Sequence, residues 1–127
     1  LKKTWNVLKK RLTNYNTTMK NLLILITFLI YSTTQSQIVV KHFNAEWNNS
    51  NAAAWVDDLS DCDVTHVDIV KNPAIQGEYK VVVVPTIIVF NEDGEEVKRW
   101  QADLSFKIGA TKKDVQEYID ELIMSSF

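Results

Sequence analysis

Between a short apolar run and an alanine-rich one stand Trp47, Asn48, Asn49, Ser50 and Asn51, a cluster of side chains suited to holding backbone rather than to attacking a substrate. An asparagine amide caps a helix well but offers no electron pair comparable to a thiolate. Cys62 is the only cysteine, so neither an internal disulfide nor a thiolate metal cage is available. Its neighbours Asp61 and Asp63 raise rather than lower a thiol pKa, and it reads as a small semi-buried hydrophobe. His42 and His66 sit in apolar, strand-like runs and read as ordinary strand residues. Asp57, Asp58, Asp61 and Asp63 form a charged helix end of the solvated kind, with no metal spacing. The three glycines are scattered, which excludes a glycine-rich phosphate loop, and Ser105 has no base placed by a readable motif.

The elements that must position these residues follow from periodicity and punctuation. Ile38 to Phe43 predicts a strand, Ser50 to Leu59 a helix, and Val64 to Val70 a second strand after the break at "SDCD". Asn72 caps a short helix with Pro73 at its first position, ending near Tyr79. The run "VVVVPTIIVF", Val81 to Phe90, has the composition of a strand buried on both faces. A glycine-containing turn leads to a strand from Val97 to about Ala102. The last helix, Thr111 to Met124, carries Val115, Tyr118, Ile119, Leu122 and Ile123 on one side. A strand-helix-strand start requires parallel pairing through a crossover, whereas the "EDGE" turn makes the last two strands an antiparallel hairpin. After the hairpin, "RWQADLSFKIGATKK" carries Trp100, Leu104, Phe106 and Ile108, read as a continuing strand or a loop folded back on the sheet, the other possibility being an apolar patch that docks a partner or a second copy of the chain.

In this order the segments "FNAEWNNSNA", "VDIVKNPAIQGEYKV" and "VVPTIIVFNEDGEEV" resemble the thioredoxin family over roughly Ile38 to Leu122. The resemblance implies an α/β fold, a thioredoxin-like three-layer sandwich whose mixed central sheet of about four strands is flanked by helices. It also implies that Val84 and Pro85 form the family's cis peptide, and that Asn48 and Asn51 occupy the positions of its Cys-x-x-Cys pair. The family's thiol is activated at a helix N-terminus; asparagine leaves nothing to activate, so no disulfide exchange is expected there and no cofactor is implied. His42 matches the family's buried aspartate and has no thiol to serve. Two readings of the remaining apparatus stand side by side. Trp47, Asn48, Asn49, Ser50, Asn51, Val84, Pro85 and Thr86 form a groove that binds a protein segment without reacting, or Asn48 is simply a helix N-cap and Pro85 is a requirement of the fold.

Charge divides the chain unevenly. Leu1 to Asn21 carries six basic residues and no acid, whereas the remainder sets eight basic residues against 16 acidic ones, a net of −8. An acidic body argues against nucleic-acid binding, which needs clustered Lys and Arg. From Met19 the order of a basic residue, ten apolar-rich positions (Leu22 to Tyr31) and small polar residues matches a secretory signal, with cleavage after Ser36 leaving Thr34 and Ser36 at the small-residue positions. Ten residues fall short of the roughly 20 that span a bilayer. The expected organisation is therefore a leader over 1–37 and a thioredoxin-like domain over 38–127, exported if the leader is a signal peptide. Membrane contact is expected only through residues 1–31 if they are uncleaved. Trp5, Leu8 and Leu12 give that leader a weak basic amphipathic pattern.

Overall fold

The computed structural model describes the backbone of residues 1–31 and 37–127, and side chains over 1–24 and 37–127. The cleavage region expected around Thr34 to Ser36 lies outside the described residues. The chain divides into two units, Leu1–Gln35 and Ser36–Phe127. The first contains α1, Lys2–Tyr31, a continuous helix whose described apolar residues, Trp5, Leu8 and Leu12 among them, are exposed. Among the described residues no helix is long and apolar enough to cross a membrane.

The second unit is built on four strands: β1 (Val39–Asn44), β2 (Asp63–Asp68), β3 (Thr86–Phe90) and β4 (Glu96–Gln101), in the spatial order β2-β1-β3-β4. β1 and β2 run parallel, while β1–β3 and β3–β4 are antiparallel. β3 is buried along its whole length and its alternation feeds two cores. Ile87 and Val89 face a cluster with Val40, Val56, Val115 and Ile119, the last two from α3 (Lys112–Ser125). Ile88 and Phe90 face a cluster with Phe43 and Val67, covered by Ile75 of α2 (Pro73–Glu78) and by Tyr79. Helices thus cover both faces of a mixed four-stranded sheet, giving the three layers expected.

Two local features hold the outer layers. Thr111 and Asp114 form a reciprocal capping box at the start of α3. Arg99 of β4 pairs with Glu96 and donates to the Tyr79 carbonyl at 2.8 Å, tying the end of α2 to the edge strand.

The expected helix over Ser50 to Leu59 does not form. In its place are two 3-10 turns, Glu46–Asn51 and Ala54–Asp58, separated by extended backbone at Ala52 (φ −60°, ψ 140°). The Ala53 amide, which an α-helix would give to the carbonyl four residues back, donates instead to His42 Nε2 at 3.3 Å. The Asn48 carbonyl, which would accept from the Ala52 amide in an α-helix, accepts instead from Asn44 Nδ2, and the Ala52 amide turns to the Asn49 carbonyl. The strand expected from Val81 is also shorter, because it begins only after Pro85, whose ring removes a ladder donor.

Candidate functional site

The site grows from the end of β1. Asn44, buried on that strand, points its amide back across the turn, and its Nδ2 donates to the Asn48 carbonyl at 3.2 Å. Asn48, only 3% exposed, returns the contact through Nδ2 to Asn44 Oδ1 at 3.1 Å. The same nitrogen faces the Val84 carbonyl at 3.4 Å and the Phe106 carbonyl at 3.2 Å, so two hydrogens serve three acceptors. Asn48 Oδ1 accepts from Asn51 Nδ2 at 2.9 Å, which leaves the Asn48 side chain satisfied on both ends. It is not a helix N-cap: Ala45 holds that position, without a side-chain bond.

Opposite the turn, the Val84–Pro85 peptide bond is cis. Val84, Pro85 and Thr86 are buried, the Thr86 hydroxyl donates to the Val83 carbonyl at 2.6 Å, and the Pro85 carbonyl accepts from the Ala102 amide at 2.9 Å. Of the eight residues singled out from sequence, these three and Asn48 therefore form the floor of the site. Trp47, Asn49 and Ser50 are exposed, and Asn51 is half-buried.

Sequence reasoning missed Asn44 and the loop after β4 that closes over the turn. Phe106 meets the Trp47 ring edge-to-face, with centroids 5.1 Å apart. It sits at a left-handed φ of 59°, held by a tight loop in which the Asp103 carboxylate accepts from the Ser105 amide and hydroxyl. Those bonds keep the Asp103 carboxyl below its usual range, led by the Ser105 hydroxyl. The signal in the sequence is the apolar Leu104, Phe106 and Ile108 in that connection, which fit either a continuing strand or a folded-back loop. The structure shows the latter: after Gln101 the strand ends.

Cys62 lies away from this turn, half-buried in the approach to β2 and packed against the α3-side core. Burial, followed by Asp63 and Asp61, pushes its thiol pKa up. The two histidines come together, which the sequence reading treated as unconnected strand residues. His42 and His66 occupy matching positions on parallel β1 and β2, their Nδ1 atoms 3.0 Å apart, and His66 Nε2 lies 2.6 Å from Asp57 Oδ1. Burial, and next the charge of His66, lower the His42 pKa to about 4, with Asp57 acting in the opposite sense. Among the described residues no group of three histidine, cysteine or acidic side chains is arranged to hold a metal ion.

No family model and no curated protein matches the sequence. Solved structures do. An N21Q mutant thioredoxin from Halobacterium salinarum NRC-1 is similar at 23% identity and a TM-score of 0.56, over 76% of this chain and 83% of that one. A thioredoxin-2 described as a component of malaria parasite protein secretion machinery is similar at 20% identity and a TM-score of 0.55, over 67% of this chain and 82% of that one. The fold is thioredoxin-like. A further malarial protein resembles it at 18% identity and a TM-score of 0.51. At these identities the likeness carries the fold, while activity must be argued from the residues. The turn after β1 holds side-chain amides and no thiol, Cys62 lying elsewhere.

Proposed function

We propose that this chain is a non-catalytic thioredoxin-fold module that binds a protein partner, or serves as a subunit of an assembly, through the surface around Trp47. The observation that carries the reading is the closed bonding of Asn48: both ends of its side chain are committed to the fold, so the position has neither a nucleophile nor a free hydrogen-bonding group. What the turn offers outward is Trp47, 60% exposed and steadied by Phe106, with Asn49 and Ser50 beside it. A rigid aromatic flanked by small polar groups suits protein recognition. A thiol route through Cys62 is disfavoured by the same chemistry, since burial and two acidic neighbours reduce the thiolate fraction on which reactivity depends.

The test is insulin reduction in the presence of dithiothreitol, run beside affinity co-purification from the native source. No acceleration over dithiothreitol alone is expected, together with a partner whose capture is lost in Trp47→Ala. Acceleration over dithiothreitol would sink the non-catalytic reading, and its loss in Cys62→Ser would assign the turnover to that thiol. Export is part of the proposal and rests on the basic, apolar and small-polar order that begins at Met19. Intact mass of the natural product decides it, with a mature N-terminus at Gln37 expected.

A further inference from the structure

The feature that the binding reading leaves unused is the chain from buried Ala53 and His42 to exposed His66 and Asp57. Its direction is determined at one end. The Ala53 amide can only donate, so His42 Nε2, 3.3 Å away, must be the bare nitrogen, and neutral His42 carries its proton on Nδ1. That proton points at His66 Nδ1, 3.0 Å away, which must therefore accept; the His66 proton is then on Nε2 and is given to Asp57 Oδ1 at 2.6 Å. Each ring nitrogen is thus either a donor or an acceptor already in use.

A proton added to either ring has nowhere to go without breaking a bond. On His66 Nδ1 it confronts the His42 Nδ1 proton; if His42 moves its own proton to Nε2 to make room, that proton confronts the Ala53 amide. A proton placed directly on His42 Nε2 meets the same amide. One proton taken from solvent by the pair therefore removes either the bond between the strands' imidazoles or the bond that holds Ala53.

Both ends of the chain lie in the segment that failed to become a helix. Ala53 is the hinge between the two 3-10 turns, and Asp57 belongs to the second. We propose that His42, His66 and Asp57 form a proton-operated latch that pins the 52–58 segment to β1 and β2, and that acid frees its Ala53 end while Asp57 stays on His66. The segment walls a cleft of about 370 Å³ lined by the two histidines, Asn49, Asp57 and Asp68, so freeing Ala53 reshapes that cleft. The groups facing His42 are few. β2 brings His66 and the second 3-10 turn brings Asp57; β3 pairs Ile87 with His42, and α3 contributes Val115 and Ile119 to that face. His66 faces Asp57 outward, and Asp68 on its own strand is engaged by the Val70 and Lys71 amides. No lysine or arginine bonds to either imidazole among the described residues.

The latch is tested on the full chain labelled with ¹⁵N. Long-range ¹H–¹⁵N spectra at pH 7.5 are expected to find His42 protonated on Nδ1 alone and His66 on Nε2 alone. On acidification, the Ala53 amide should lose about tenfold in hydrogen-exchange protection, corrected for intrinsic exchange, with the same midpoint as the imidazole titration and with β3 amides unchanged. In Asp57→Asn the acceptor oxygen remains but the negative charge that favours an imidazolium does not, so that midpoint should move to lower pH. Asp57 is exposed, and the substitution leaves the fold intact. A His42 proton on Nε2 at pH 7.5, Ala53 protection that is flat through the titration, or an unmoved midpoint in Asp57→Asn would each overturn the proposal.

Discussion

Asn48→Ala tests whether the amide network, and not the aromatic surface above it, holds the turn in place. Truncation removes the donors to Asn44 Oδ1, the Val84 carbonyl and the Phe106 carbonyl, and the acceptor for Asn51. Asn51 is half-buried and Phe106 partly exposed, so both can turn to water. Asn44 and Val84 are buried at 7% and 2% exposure and cannot. Leaving a buried polar group unpaired costs about 1–3 kcal/mol. Two such groups, relieved in part by repacking, place the loss at about 2–4 kcal/mol, which for a domain of this size corresponds to a fall of roughly 10–20 °C in Tm. Urea unfolding followed by tryptophan fluorescence, with thermal circular dichroism beside it, measures both quantities. Asn48→Asp sharpens the test because it keeps the shape: a carboxylate has no hydrogen to give to three oxygens, so it should destabilise more than alanine at pH 7. That excess should shrink in acid as the carboxyl regains a proton to donate. A loss below about 0.5 kcal/mol for alanine, or an aspartate variant no worse than alanine at pH 7, would refute the network's role.

Stability should also fall in acid because of His42. Its folded pKa of about 4 lies below the ordinary histidine value of 6.5, so the unfolded chain binds the proton more readily between those values. The stabilisation is complete above pH 6.5 and is lost as pH drops toward 4, by at most about 3 kcal/mol; a stability that is level across this window in urea titrations would contradict it. Thr111→Ala removes half of the capping box on α3 and should cost about 1 kcal/mol in the same assay. Trp47→Ala should leave the unfolding free energy within about 1 kcal/mol of the parent, the loss of one edge-to-face ring contact, while abolishing partner capture.

Much of the fold was legible because local chemistry and tertiary demand agree there. The β-branched residues of Thr86 to Phe90, the Asn72-Pro73 start of α2, the glycine turn at Gly94 and the apolar stripe of α3 each specify an element without help from distant residues. The helix over Ser50 to Leu59 failed for the opposite reason. Its three alanines favour a helix, yet the amide that would have continued it is claimed by an imidazole eleven residues earlier in the chain. Propensity of a few tenths of a kcal/mol per residue yields to one buried bond of this kind.

By itself the sequence determined what chemistry is absent from the turn: a single cysteine, far from Trp47 in the chain, cannot make a redox pair, and no structure alters that count. It also determined the four strands, the helices α2 and α3 and the parallel start, because periodicity and crossover geometry are local or topological properties. Only the tertiary structure decided what the amides of that turn hold. Asn44, Val84 and Phe106 are separated from Asn48 by between four and 58 positions, and their convergence on one amide follows from the closing of the sheet and the fold-back of the loop after β4. The pairing of His42 with His66 likewise depends on strand register, since a one-residue slip would send the two rings to opposite faces.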